Sequence, residues 1–108
     1  MVCICNSIGV YRIRIARGAE RDLHAIRAHE RVLILDGIQE MLSHEPTVET
    51  RNRKRLVNLV PPFEAIPPVW QLRIRDYRVF YDVSAEEQTV FVRAVRRKLA
   101  HRTTEEIL

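Results

Sequence analysis

The spacing of apolar positions changes period twice along this chain. Val10 to Ala16, VYRIRIA, alternates strictly, with Tyr11, Ile13 and Ile15 on one side and Arg12 and Arg14 on the other. That is the signature of a half-buried strand, because successive side chains of a strand point to opposite faces. Gly18 is read as its end. From Ala19 to about Ala28 the spacing becomes helical: Leu23 and Ile26 share a side, and Glu20 and Asp22 sit where negative charge suits a helix N-terminus. Val32 to Leu42 continues that period through Leu35, Ile38, Met41 and Leu42. A break near Ala28 to Glu30 predicts a helical hairpin, with one bent helix as the alternative. Gly37 costs about 1 kcal/mol of helix propensity against Ala, which predicts a close packing contact at that point. Ser43 to Pro46 ends the helix, since a proline disfavours helix in the residue before it.

Thr50 to Asn58, TRNRKRLVN, is a charged run with no clear period. Leu59 to Pro68 then carries four of the five prolines, a density that forbids helix and central strand. It reads as an extended connector, with Phe63 and Ile66 pinning it to the body. Alternation returns at Val69. Trp70, Leu72 and Ile74 fall on one face and Gln71, Arg73 and Arg75 on the other; a tight turn is placed at Arg75-Asp76. Beyond it Tyr77, Val79, Tyr81 and Val83 oppose Arg78, Phe80 and Asp82. Ala85 to Gln88 is a polar turn, Thr89 to Val95 a third apolar strand, Arg96 to Arg102 a basic exit, and Thr103-Thr104 the cap of a short final helix.

The predicted order is therefore an N-terminal strand, a helical hairpin and a three-stranded antiparallel meander. This is an α+β domain with a four-stranded sheet, helices on one face and the other face partly open. The expectation is one domain over residues 1–108, with 1–10 as a loose arm, the start of the first strand or an overlong gene start.

Composition narrows the function. The chain has 108 residues, 46% of them apolar, enough for a single core. No apolar run approaches the ~18 residues of a membrane-spanning helix, and MVCICNSIGV lacks a basic leader, so neither a membrane span nor a signal peptide is expected. Cys3 and Cys5 are too close for a useful disulfide and too few for a zinc site, which suits a reducing, cytoplasmic setting. The net charge of +4 favours a polyanionic or acidic partner, and its distribution is more informative. Arginine and lysine cluster at Arg51 to Arg55, at Arg73, Arg75 and Arg78, and from Arg93 to Arg102, so the second half is the basic one. No P-loop, GxSxG, HExxH or paired CxxC pattern occurs. His24, His29 and His44 read as surface residues, and Trp70, Tyr77 and Tyr81 as core.

The blocks YRIRIARGAERDL, WQLRIRDYRVFYDV and VFVRAVRRK, spread over Tyr11 to Leu108, resemble the RelE/ParE superfamily of toxins from type II toxin–antitoxin modules. The resemblance implies the α+β fold reached from patterning. It also implies an antitoxin partner in a hetero-oligomer, a role in plasmid stabilization, and no cofactor or metal. Two activities follow from it: translation inhibition by ribosome-dependent mRNA cleavage, as in RelE-like members, or inhibition of DNA gyrase, as in ParE-like members. A catalytically idle antitoxin-binding module is a third reading. Carried over residue by residue, the resemblance points to Arg73, Arg78, Arg97, Lys98 and His101 as catalytic candidates. Arg53, Lys54, Arg75 and Arg93 are the candidate RNA-binding residues. Gln71 stands where RelE-like members often carry a second lysine, and no tyrosine follows Tyr81, which leaves His101 as the acid–base candidate. Arginine suits such chemistry because its fork holds phosphate oxygens in pairs and stabilises the charge that builds up as a 2′-hydroxyl attacks.

Overall fold

The computed structural model describes residues 10–57, 60–98 and 103–107. In chain order these form β1 (Arg12–Ile15), α1 (Arg17–His24), α2 (Ala28–Leu42), β2 (Arg53–Arg55), β3 (Trp70–Ile74), β4 (Tyr77–Ser84), β5 (Thr89–Arg97) and α3 (Thr104–Ile107). The strands make one sheet in the order β1-β5-β4-β3-β2, with β1 parallel to β5 and every other pair antiparallel.

The sheet has five strands, not four. The additional one is β2, inside the charged run: Arg53 pairs with Leu72, Lys54 with Gln71 and Arg55 with Trp70. Three basic residues show no alternation, and an edge strand held by backbone hydrogen bonds needs none. Lysine and arginine on such an edge also discourage pairing with other chains.

One face of the sheet carries the main core. Leu72, Val79, Tyr81, Val90, Val92 and Val95 pack with Leu23 of α1 and with Ile34, Ile38 and Leu42 of α2, all of them buried. Each such aliphatic side chain contributes about 1.5–3 kcal/mol through burial. Trp70 stacks on Tyr81 with ring centroids 6.3 Å apart, and the Tyr81 hydroxyl donates to the Pro46 carbonyl. The close contact predicted at Gly37 exists: a Cβ there would lie 2.9 Å from Cδ1 of Ile74.

The two helices form a hairpin, broken at 25–27. Arg31 of α2 closes the corner, its guanidinium donating to the carbonyls of Leu23 and Ile26, each at 2.8 Å. The cation thereby adds a donor to carbonyls at and just beyond the C-terminus of α1, where positive charge suits the helix dipole. Gly18 does not terminate structure, because it lies inside α1. A Cβ there would meet the Arg93 carbonyl at 3.3 Å, so the glycine permits α1 to lie against β5. Asp22 of α1 accepts the backbone N–H of Val95 and so covers the part of the β5 edge that β1 does not reach.

The second face of the sheet is open at the β3–β4 turn end, where Arg73 is exposed, and covered over the rest by a layer that the patterning did not announce. The proline-rich connector and α3 make up that layer. Val69, Phe80 and Ala94 form a second buried cluster with Leu56, Phe63, Ala65 and Ile107. Phe63 sits 6.1 Å from Phe80, as a pin would. Ile66 does not pin by its side chain, which is exposed; its backbone N–H instead donates to the buried carboxylate of Asp82. No described helix is long and apolar enough to cross a membrane.

Candidate functional site

The β3–β4 hairpin turns at Arg75-Asp76, where Arg75 adopts a positive φ of 53°. The Lys98 N–H donates to the Asp76 carbonyl and ties this turn to the end of β5. Register then decides which side chains meet. Arg73 of β3 lies directly opposite Arg78 of β4, and Arg78 opposite Arg96 of β5. Directly opposed residues of an antiparallel pair share a face. Three arginines thus stand in a row across three strands, on the side away from the helices.

The row is not uniform. Arg96 forms an ion pair with Asp22 and is neutralised at the edge. Arg73 and Arg78 have no ion pair among the described residues. Arg78 is half-buried, and its Nη1 donates to the carbonyls of Arg75 and Tyr77, both at 3.0 Å. Burial and then the positive charge of Arg73 push its pKa below the usual arginine value, against the opposing pull of Asp76. Like charges placed directly opposite on a sheet repel by a few tenths to about 1 kcal/mol. A bound anion would relieve that repulsion, and paired guanidinium forks suit phosphate oxygens.

The family model for the ParE toxin of the type II toxin–antitoxin system parDE matches residues 13–99. The chain belongs to this family. It is a toxin of a type II toxin–antitoxin module within the RelE/ParE superfamily. The fold resembles the RelBE2 toxin–antitoxin complex of Mycobacterium tuberculosis, with a TM-score of 0.67 and 25% identity over 82% of this chain and 99% of that one. The RelE–RelB complex of Pyrococcus horikoshii OT3 gives a TM-score of 0.63 at 18% identity, covering 86% of this chain and 99% of that one. The isolated RelE toxin of E. coli gives 0.60 at 21% identity, covering 87% and 88%. No curated protein sequence matches the chain.

In this ParE-family toxin the candidate residues fall into distinct places. Arg73 and Arg78 come together, with exposed Arg75 at the adjoining turn. Exposed Lys54 pairs with Gln71 on the same face, one strand out. Arg53 points to the helix side, where its Nη1 donates to the Met41 carbonyl. Arg93 is committed to structure. A bulge between Phe80 and Tyr81 shifts the β4–β5 register, so Ala94 pairs with Phe80 but Val92 with Tyr81. The extra residue, Arg93, turns to Asp82 with an Nε–Oδ2 distance of 2.7 Å and lies 4.9 Å over the Phe91 ring. Arg97 pairs with Tyr77 and leaves from the helix side, away from the arginine row. There the Tyr77 hydroxyl donates to Glu30 at 3.1 Å, and burial together with that carboxylate raises its pKa. His101 and the pair Cys3 and Cys5 lie outside the described residues. Among the described residues no three His, Cys, Asp or Glu side chains converge as metal ligands would.

Two contacts at the site escaped the sequence reading. Buried Gln71, two residues from Arg73 on the same face, accepts a hydrogen bond from the Thr104 hydroxyl at 2.8 Å, which seats α3 beside the row. Asp22, read only as a helix-start residue, removes Arg96 from the row. The first has no sequence signal. Nor has the second, since α1 carries two acids, Glu20 and Asp22, beside Arg17 and Arg21.

Proposed function

We propose that this toxin inhibits translation by cutting mRNA presented by the ribosome, with the Arg73–Arg78 pair as its phosphate-binding element. The observation that carries this reading is the direct opposition of two guanidiniums without an ion pair among the described residues, on a face where Arg93 and Arg96 of β5 are both neutralised and from which Arg97 points away. In the reaction the 2′-hydroxyl loses its proton and attacks the adjacent phosphorus. The bond to the 5′ oxygen breaks and that oxygen takes up a proton, leaving a 2′,3′-cyclic phosphate and a 5′-hydroxyl. Arg73 and Arg78 stabilise the negative charge on the pentacoordinate phosphorus. Lys98, close in sequence to the row's β5 member, and His101 are the candidate proton carriers. Tyr77 is not, because its hydroxyl faces Glu30 across the sheet. The partner is a small antitoxin, as in the RelBE2 and RelE–RelB complexes that this fold resembles. An acidic segment of it would compete for the same arginines.

A second reading, inhibition of DNA gyrase without catalysis, is favoured by the ParE description of the matching family and by Gln71 in place of a basic residue. The two separate on induction in a bacterial host. Codon-linked 5′ ends within translated messages are expected, and Arg73→Ala and Arg78→Ala should each abolish both the ends and growth arrest. A DNA-damage response with intact messages would overturn the cleavage reading in favour of the second.

A further inference from the structure

Around the edge of β3 from the arginine row lies a cleft of about 480 Å³. It is enclosed by the C-terminal half of α2, the bend at 51–52 and the last residues of β3. Met41 and Ile74 make its floor, Arg51, Arg73 and Arg75 its cationic rim, and Glu40 and Asn52 its remaining polar lining. The bend is held in place: the Asn52 carbonyl accepts the Arg73 N–H at 2.7 Å, and its N–H donates to the Thr50 hydroxyl at 3.2 Å.

The chemistry of this lining selects a ligand. Three guanidiniums surround one carboxylate, and none of the four has an ion pair among the described residues, so the cleft favours an anion. An apolar floor beneath guanidinium planes suits a flat ring, which can stack on arginine. The volume is that of a small-molecule site. Arg73 belongs to both features, so a strand whose phosphate is held in the row would pass over the β3 edge into the cleft. Glu40 then sets the base preference. A carboxylate only accepts hydrogen bonds, and guanine offers it two adjacent donors, N1–H and the N2 amino group. Uracil offers one donor flanked by two carbonyls that would repel the carboxylate.

We propose that this cleft binds one unpaired nucleotide of the RNA strand held at the arginine row, with preference for guanine through Glu40. The inference rests on the RNA reading of the site and names its specificity. The test is a titration of the full chain with the four nucleoside 5′-monophosphates, followed through backbone amide NMR shifts. GMP should shift the amides of Gly37, Asn52 and Ile74, with affinity about tenfold above UMP, the low end of what a bidentate base contact gives. Arg51→Ala should weaken all four nucleotides, and Glu40→Gln should remove the guanine preference alone. Both residues are exposed, so both variants should fold. Equal affinities, shifts elsewhere, or binding of an acidic peptide in place of nucleotides would overturn the proposal. Mapping of mRNA ends in the Glu40→Gln strain keeps the two readings apart. Cleavage with an unchanged base profile and no GMP binding sinks the cleft and spares the nuclease. GMP binding in the cleft without mRNA cleavage does the reverse.

Discussion

Reversing one charge of the row, Arg73→Glu, should stabilise the protein and abolish its activity. Arg73 and Arg78 are direct cross-strand neighbours, which places their Cβ atoms about 5 Å apart. Removing the repulsion is worth about 0.2–1 kcal/mol, and an opposite charge at the same place adds a similar amount at low ionic strength. The sum is roughly 0.4–2 kcal/mol. For a chain of 108 residues that corresponds to a rise in Tm of about 2–9 °C. The gain should shrink in 1 M salt, where the screening length falls to about 3 Å. Arg73→Gln should show about half of the stabilisation, since it removes repulsion without adding attraction. Melting curves at low and high salt, paired with growth arrest on induction, measure both effects. A variant that melts below the parent at low salt, or one that stays toxic, refutes the claim that the row is kept for binding an anion.

Three further outcomes are expected. Asp82→Ala strands the largely buried Arg93 and the Ile66 N–H, and should cost about 3–5 kcal/mol, read as a fall in Tm of roughly 10–20 °C; a double variant, Asp82→Leu with Arg93→Met, should recover the part due to the stranded charge and leave about 1–3 kcal/mol for the unpaired Ile66 N–H. Tyr81→Phe should lose about 1 kcal/mol in urea denaturation through its missing bond to the Pro46 carbonyl. Burial raises the Tyr81 pKa above that of the unfolded chain, so the stability linked to it is full below about pH 10 and lost as pH rises beyond; the Phe variant should therefore denature less steeply in alkali than the parent. Asp22→Asn should release Arg96 into the row while still accepting the Val95 N–H, and should steepen the salt dependence of single-stranded RNA binding by about 0.7 in log–log slope, one added phosphate contact.

Where one face of a strand is buried, alternation placed it well. Ile13 and Ile15, Trp70 and Leu72, and Val79 and Tyr81 all lie on the helix side as the period requires. Two kinds of residue defeat that logic. Arg53 to Arg55 make a strand whose pairing is in the backbone, so nothing in their side chains announces it. Phe80 and Asp82 were assigned the correct face, but a period of two says nothing about what lies over that face. The proline-rich connector supplies a second layer and turns both into buried residues. At the site, the opposition of Arg73 and Arg78 was legible, because a two-residue turn fixes the register. The loss of Arg93 was not, since it depends on a bulge. The placement of Arg97 was available in principle. It lies two residues beyond Val95 and so shares the core face, away from Arg78.

The same layering explains why the basic excess acts at one place. Asp82 holds Arg93 beneath the connector and Asp22 holds Arg96 at the sheet edge, so Arg73 and Arg78 are what remains of the row for an anion to meet. Two guanidiniums engage about two phosphates and give a single strand a salt slope near −1.4; exposed Arg51, Lys54 and Arg75 beside them add about three contacts at most, still short of the 6–10 phosphate contacts behind tight nonspecific binding. Such a toxin alone should hold RNA weakly at physiological ionic strength. On the mRNA reading, the affinity and the strand geometry must then come from a larger assembly that presents the message, and the arginine pair contributes where charge builds up on phosphorus. A site this small on a chain this basic therefore fits a cutter that works on presented RNA better than one that captures RNA from solution.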